Sequence, residues 1–338
     1  MRAVVYAETG PSSVLRLVER EVPEPGPGEV RVRVVRAGVN PTDWKFRAGT
    51  QTAYDEVTPG HDGAGVVDAV GEGVTGLDAG RRVWLMLAQH GRPHGTTAEY
   101  TVQPVSRVRP LPEGADFDLG ASIGVPAVTA HRALTAAEDG PARLGPGALD
   151  GKVVLVAGGA GAVGNAAIQL ARWSGATVVT TVSTEEKSQL ARMAGAHHVV
   201  NYHESDAAKE VLAVAPDGVD IAVEVAPAQN MGIDLDVVRV HGLVSIYANN
   251  GGDELTMPLR AAFGKNLRFQ FLILYTLHER LLAAAAEDVS AAVASGALKV
   301  GADAGLPLHH YPLEATAAAH DAVQRGAVGK VLIDVADC

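Results

Sequence analysis

The chain has 338 residues and a formal net charge of −11 at neutral pH. This length suits two domains better than one core, and 47% hydrophobic with 20% charged residues is an ordinary globular mixture. The acidic balance argues against nucleic-acid partners, because phosphate backbones attract clustered Lys and Arg. Aromatic residues, at 4%, argue against a surface that stacks single-stranded bases.

The single cysteine, Cys338, is the last residue, so we expect no disulfide and no Cys-based metal site within one chain. The first residues reach the charge of Arg2 too soon for a signal peptide. No stretch approaches the ~20 apolar residues that span a bilayer. We therefore expect a cytoplasmic protein without membrane association.

The first third of the chain has the pattern of β-structure. After the Pro- and Gly-rich segment Pro23–Gly28, the stretch Val30–Val35 alternates valine with charge, as a half-buried strand does. Gly63–Val70 and Arg82–Leu87 are further strand candidates, separated by Gly-rich turns. Such short strands with turn signals predict a small barrel or sandwich.

From Lys152 onward, predicted strands alternate with helices. The six predicted strands are 152–157, 177–182, 198–200, 219–225, 243–247 and 267–274. This alternation predicts a doubly wound parallel sheet. The tail contains an Ala-rich helix near 281–295 and a last strand at 330–335, which we expect to return to the first domain.

A glycine-rich turn joins the first of these strands to its helix. Gly159–Gly164 reads GAGAVG and fits G-x-G-x-x-G, with candidate contacts at Gly159, Ala160, Gly161, Ala162, Val163 and Gly164. The helix N-terminus supplies unpaired donors and a positive dipole end to a pyrophosphate. The alternative is a βα turn without a ligand, which the six alternating strands disfavour.

The second predicted strand indicates which dinucleotide is bound. NAD sites place Asp or Glu at its tip, but Thr180–Thr184 contains no acid. Ser183 and Thr184 offer hydroxyls, and Lys187 follows one helical turn later, which favours NADP. The alternative is that Lys187 is a solvated residue beside Glu185–Glu186, and local spacing leaves this open.

Several motifs in order resemble the zinc-free medium-chain dehydrogenase/reductase superfamily, specifically its quinone oxidoreductase (zeta-crystallin-like) group. They cover nearly the whole chain and are Ala37–Asp43 (AGVNPTD), Thr58–Val67 (TPGHDGAGVV), Gly95–Tyr100 (GTTAEY), Gly195–Tyr202 (GAHHVVNY), Tyr311–Glu314 (YPLE) and Gly329–Val331 (GKV). The group's glycine turn usually reads G-A-[SA]-G-G-V-G, whereas here Gly stands at 159 and Ala at 162.

This resemblance implies an α/β fold with a GroES-like β-rich N-terminal domain and a Rossmann domain whose doubly wound parallel sheet has six strands. We expect residues 1–125 and 276–338 to form the GroES-like catalytic domain, and residues 126–275 to form the NADPH-binding Rossmann domain. A cleft between the domains would hold the coenzyme and the substrate.

The resemblance also implies roles for particular residues. Asn40 and Asp43 would face the site of hydride transfer. The other implied contacts, all with NADPH, are Thr129 at the nicotinamide carboxamide, Ser183, Lys187, Tyr202 and Arg325 around the adenosine 2′-phosphate, and Val225 and Tyr247 along the nicotinamide channel.

The loop after Asn40 departs from the group. Lys45 and Gln51 stand where tyrosine is often found, and Trp44 and Tyr54 are nearby aromatic substitutes. We therefore predict a substrate pocket formed by Trp44, Lys45, Tyr54 and His61. This departure concerns the substrate more than the coenzyme.

No metal is expected. Asn40 stands where zinc-dependent relatives use a thiolate, and His61 resembles the remnant of their G-H-E motif. Catalytic zinc needs three protein ligands, and Asn is a poor one. His61 is therefore interpreted as a hydrogen-bonded cleft residue.

Without zinc, no strong Lewis acid stabilises an alkoxide, which favours an acceptor that is already electron-poor. The prediction is an NADPH-dependent quinone reductase that transfers hydride from nicotinamide C4. The alternative enzyme is an enoyl or alkenal reductase that reduces activated C=C bonds. The non-enzyme alternative is a structural or RNA-binding crystallin-like protein, which the acidic charge and the glycine turn disfavour.

A homodimer is expected through Leu267–Tyr275, which carries two of the five Phe residues and is predicted to be the edge strand of the Rossmann sheet. An apolar edge must be covered, and pairing across a two-fold axis covers it. The alternative is that the tail helix after His278 covers this edge within one chain.

Overall fold

The computed structural model of the protein describes residues 1–49 and 54–337. Gln51 and Cys338 therefore lie outside the described residues. The chain forms two compact units, one of residues 1–125 with 308–338 and the other of residues 126–307.

The described residues contain fifteen strands and nine α-helices. The strands are β1 Arg2–Val5, β2 Arg16–Glu19, β3 Glu29–Val39, β4 Asp62–Val70, β5 Arg82–Leu85, β6 Tyr100–Pro104, β7 Val108–Pro110, β8 Val153–Ala157, β9 Thr177–Val182, β10 His198–Asn201, β11 Val219–Glu224, β12 Val238–Ile246, β13 Arg268–Phe271, β14 Leu308–Pro312 and β15 Lys330–Asp334. The helices are α1 Pro41–Gly49, α2 Phe117–Leu134, α3 Ala162–Trp173, α4 Glu185–Met193, α5 Ala207–Val214, α6 Pro227–Val237, α7 Leu259–Lys265, α8 Glu279–Ala294 and α9 Thr316–Gln324.

The first unit is built on a sheet in the order β14-β15-β3-β4-β5-β7, and β6 also pairs with β3. The long strand β3 is central because its valines alternate with charge, so that Val30, Val32 and Val34 are all fully buried. Strand β15 pairs with β3 in antiparallel register. The predicted return of the last strand to the first domain is thereby confirmed.

The second unit contains the predicted parallel sheet, in the order β10-β9-β8-β11-β12-β13. Strand β8 reads VVLVA and is buried because helices cover both faces of such a sheet. The chain changes direction along the sheet between β8 and β11, and ligands of doubly wound folds bind at the carboxyl edge beside such a switch. The six-stranded Rossmann-like sheet and the GroES-like first domain are as expected.

Residues 276–307 belong to the second unit, whereas the sequence placed them with the first. The reason is a set of hydrogen bonds and ion pairs around the buried Asp288 on α8. Its carboxylate accepts from His131 Nε2 at 2.8 Å, from Arg143 Nη2 at 2.6 Å and from the Leu144 backbone N–H at 2.7 Å. An Ala-rich amphipathic helix carries no local signal for the core that it joins, and these long-range contacts decide it.

Two strands of the parallel sheet differ from their expected bounds by three residues or more. Strand β12 begins at Val238 instead of 243, and β13 ends at Phe271 instead of 274. Among the helices of residues 1–49 and 54–337, none is long and apolar enough to cross a membrane.

Candidate active and coenzyme-binding site

A buried polar cluster lies in the first unit where β3, β4 and β15 meet. Asn40, Asp43, His61, Asp62 and Lys330 are each at most 2% exposed. The sheet register assembles them, because Gly38 pairs with Asp62 on one side and Val39 pairs with Val331 on the other. A Cβ atom at residue 38 would lie 2.0 Å from the Ala121 carbonyl oxygen, so only glycine permits this close approach.

One half of this cluster is a closed network around the Asn40 amide. Lys330 Nζ donates to Asn40 Oδ1 at 2.7 Å and to Asp62 Oδ2 at 3.0 Å, and Asn40 Nδ2 donates to the same carboxylate oxygen at 2.8 Å. The Val125 N–H donates to Asp62 Oδ1 at 2.7 Å. Burial raises the pKa of Asp62, and the Lys330 ammonium opposes this shift. The network holds the Asn40 side chain in one orientation.

The other half pairs Asp43 with His61. Asp43 Oδ2 accepts from the Asn40 backbone N–H at 2.7 Å at the start of α1, and Asp43 Oδ1 lies 2.5 Å from His61 Nδ1. Burial acts to raise the pKa of Asp43, but His61, His320 and the Asn40 backbone N–H together outweigh it, and the net pKa is lowered. Asp43 is therefore ionised at neutral pH. The His61 ring also stacks on Phe46, with centroids 5.7 Å apart.

The residues of the predicted substrate pocket are only partly brought together. His61 lies in the buried cluster, whereas Lys45 Nζ stands 6.0 Å from the Trp44 ring centroid. The Tyr54 hydroxyl donates to the Gly91 carbonyl oxygen at 2.6 Å. Their contact with a substrate remains a prediction.

No group of three or more His, Cys, Asp or Glu side chains in the described part of the chain could hold a metal ion. His61, the remnant of the G-H-E motif, has its Nδ1 bonded to Asp43. Metal independence stays a prediction.

Two glycines of the turn in the second unit are required by close packing within the protein. A Cβ at residue 159 would lie 2.2 Å from Thr180 Oγ1, and one at residue 164 would lie 2.4 Å from the Gly158 carbonyl oxygen. The Thr180 contact explains why glycine replaces the group's usual alanine at 159. Helix α3 has no side-chain cap at Gly161 and no acid in its first turn. Its N-terminus therefore suits an anion.

Polar groups also gather at the tips of β9 and β10. Lys187 Nζ donates to Ser183 Oγ at 3.0 Å. Asn201 pairs with Val182, so Tyr202 and Ser183 follow neighbouring strand ends. Thr184 caps α4, because its Oγ1 accepts from the Lys187 backbone N–H at 3.3 Å. Ser183, Lys187 and Tyr202 thus share the carboxyl edge of the sheet.

Two other predicted coenzyme residues, Arg325 and Thr129, lie on elements other than the strand ends of this sheet. Arg325 follows α9 in the first unit, its side chain is 71% exposed, and it lies 4.0 Å from Asp321. Thr129 is buried on α2. Their contacts with the coenzyme stay predictions.

Val225 and Tyr247 lie just after β11 and β12, on two loops at this same edge. A Cβ at Gly158 would lie 3.3 Å from Val225 Cγ1, so the Val225 loop borders the glycine turn. The Tyr247 N–H donates to the Glu224 carbonyl oxygen at 3.1 Å. The two loops are therefore joined through one residue of β11.

The sequence reasoning did not single out Asp62, Lys330 or Glu224 as site residues, although all three are at most 2% exposed. The available signal was a charged residue at the end of a strand that is otherwise apolar. Such a residue is usually solvated, so the signal is weak without the strand pairing.

Comparison with known proteins agrees with this architecture. Residues 26–113 match the family described as "Alcohol dehydrogenase GroES-like domain", and residues 162–300 match the family described as "Zinc-binding dehydrogenase". The quinone oxidoreductase of Homo sapiens is 33% identical over 341 aligned residues, which cover 98% of this chain and 97% of the relative.

Two solved structures share the fold over nearly the whole chain. An NAD-dependent alcohol dehydrogenase has a TM-score of 0.85 and 30% identity, and the match covers 99% of this chain and 100% of that one. The Escherichia coli quinone oxidoreductase complexed with NADPH has a TM-score of 0.81 and 25% identity, with the same coverage. The two domains, the glycine turn and these likenesses agree, and the chain belongs to the medium-chain dehydrogenase/reductase superfamily, in its quinone oxidoreductase group.

Proposed function

We propose that the protein is an NADPH-dependent quinone reductase that transfers a hydride from nicotinamide C4 to a quinone without a metal. The observation that carries the coenzyme choice is the Lys187–Ser183 pair at the tip of β9, where an NAD site would hold an acid. The quinone is supported by the likeness to quinone oxidoreductases.

The coenzyme supplies the hydride, and the chain supplies position and charge. The N-terminus of α3 would bind the pyrophosphate through its uncapped N–H groups. Ser183 and Lys187 would hold the 2′-phosphate, with Tyr202 beside them. Residues at the ends of β11 and β12 would hold the nicotinamide in place.

Asn40 and Asp43 would orient the quinone or a bridging water. Asp43 is ionised, because its pKa is lowered, so it does not serve as the proton donor at neutral pH. A quinol oxygen takes its proton from water, and the mechanism needs no acid from the protein.

The test is NADPH oxidation measured with a panel of quinones, with α,β-unsaturated carbonyls, and without an added acceptor. We expect turnover with quinones and little with the other two. Faster turnover of the unsaturated carbonyls would assign the chain to the reductases of activated C=C bonds. No turnover with any acceptor would point to a binding or structural role.

We also propose a homodimer through the edge of the Rossmann-like sheet. Strand β13 ends the sheet, and among the described residues no strand pairs with its outer side. Phe271 is 62% exposed and Ile273 54%, so α8 leaves both uncovered. Phe263 and Leu259 on α7 are also exposed. A second copy related by a two-fold axis would cover this apolar edge.

A further inference from the structure

We propose that Glu224 is a positioning residue that anchors both nicotinamide-facing loops, so that its carboxylate sets the affinity for the nicotinamide half of the coenzyme. This inference deepens the proposed function and rests on it. Glu224 is the last residue of β11 and is 1% exposed. A carboxylate is rarely placed in such a position unless its oxygens are paired.

The side chain holds the first loop. The Ala226 N–H donates to Glu224 Oε1, and Asn230 Nδ2 donates to Oε1 at 3.0 Å and to Oε2 at 3.2 Å. Ala226 is the N-cap residue of α6 and makes no side-chain cap, and the carboxylate holds this residue through its backbone N–H. A negative charge at this end also interacts favourably with the helix dipole. Val225 is thereby fixed between the strand and the helix.

The backbone of the same residue holds the second loop. The Glu224 carbonyl oxygen accepts from the Tyr247 N–H at 3.1 Å, and the Val225 carbonyl oxygen accepts from the Asn250 N–H at 3.0 Å. A shift of Glu224 would therefore move both loops together. A shift of Glu224 would move the glycine turn less, because that turn is held by β8 and α3.

A second buried acid on α6 bears on the charge of Glu224, because burial raises the pKa of Glu224 while the hydrogen bonds from Ala226 and Asn230 lower it. Asp234 lies one turn after Asn230 on α6, is 1% exposed, and its Oδ2 has no hydrogen-bond partner among the described residues. Burial and the nearby Glu224 raise the pKa of Asp234 well above its usual value. Glu224 accepts hydrogen bonds from Ala226 and Asn230, whereas Asp234 Oδ2 accepts none, so the pair favours the proton on Asp234 and the negative charge on Glu224.

The experiment compares binding of the whole coenzyme with binding of its adenosine half. Calorimetry measures the Kd of NADPH and of 2′,5′-ADP for the native protein and for Glu224→Gln, which keeps the size but turns a donor toward Asn230. We expect the Kd of NADPH to rise about tenfold, as the loss of a charge-assisted hydrogen bond would produce, with the Kd of 2′,5′-ADP unchanged. Glu224→Asp, which keeps the charge, should recover part of the loss.

The matched control is Asp220→Asn on the same strand. Asp220 is also a carboxylate of β11, but it lies at the opposite end of the strand. It accepts from the Val153 backbone N–H and from the Lys152 and Arg239 side chains. This variant should lose stability on thermal unfolding and keep the native ratio of the two dissociation constants. Equal weakening of both ligands by Glu224→Gln, or no weakening, would overturn the role of Glu224.

Failure of the proposed function shows in the native protein instead. If native protein prefers NADH, the 2′-phosphate assignment fails, and the comparison is made with NADH and ADP-ribose. If it binds neither dinucleotide, both the function and this inference are wrong.

Discussion

Replacing Lys187 with alanine tests the assignment of NADPH directly. Lys187 is half-buried in the first turn of α4, and its Nζ lies 3.0 Å from Ser183 Oγ at the tip of β9. A 2′-phosphate at this position would accept from both side chains. NADH has only a neutral hydroxyl there, so the lysine charge contributes little to its binding.

The size of the effect follows from the partial burial. A charge-assisted hydrogen bond contributes about 1.5–3 kcal/mol, and the half-buried lysine belongs at the lower end because water screens it. We therefore expect Lys187→Ala to raise the Kd of NADPH about tenfold. The Kd of NADH should change less than about twofold, and the NADPH effect should shrink as ionic strength rises.

Calorimetric titration with each coenzyme measures both constants. Arg192→Ala is the matched control, because Arg192 lies on the same helix, is 54% exposed and pairs with Glu185 instead. It should leave both constants unchanged. Equal losses for NADPH and NADH in Lys187→Ala would refute the reasoning, since they would indicate a general effect on α4.

Three further predictions concern assembly, stability and metal. Phe271→Lys should convert a native dimer to a monomer in light scattering, because it places a charge on the apolar edge; a native monomer at micromolar concentration would rule the interface out. The pKa of Asp288 is lowered to about 2, mainly through His131 and Arg143 acting against burial, so its contribution of about 2 kcal/mol is present above pH 4 and lost as pH falls toward 2. Asp288→Asn should lower the free energy of unfolding at pH 7 in urea titrations and flatten this acid dependence, and an unchanged pH profile would contradict it. Chelation should leave NADPH oxidation intact, whereas loss of activity with release of stoichiometric zinc would show that a metal is required.

The buried ion pair in the first unit offers one more test of stability. Lys330→Met leaves the buried Asp62 carboxyl without its cationic partner, and breaking a buried pair costs about 3–5 kcal/mol. Combining it with Asp62→Asn should recover part of that loss, because no unpaired charge remains. Denaturant titration of the native protein and of these two variants measures this, and a double variant less stable than Lys330→Met would contradict the pairing.

The amino-acid sequence by itself determined the features that depend on near neighbours. The continuous valines of β8, the alternation of Val30–Val35 and the glycine turn at 159–164 each specify their local structure, because periodicity and backbone freedom act over a few residues. The six parallel strands and a small β-domain could be predicted for this reason, and the family resemblance implied that the β-domain is GroES-like. The absence of an acid at the tip of β9 could likewise be read from the sequence.

Only the tertiary structure decided what depends on distant pairing. Lys330 and Asp62 are 268 positions apart, and the register of β15 and β4 against β3 brings them together in a buried pair. The sequence of α8 is compatible with either core, and the contacts of Asp288 with His131, Arg143 and Leu144 place the helix in the second unit. Glu224 looks like an ordinary strand end in the sequence. The anchoring role that we propose for it depends on the alignment of the carboxyl ends of parallel strands, which makes neighbours of loops far apart in the chain.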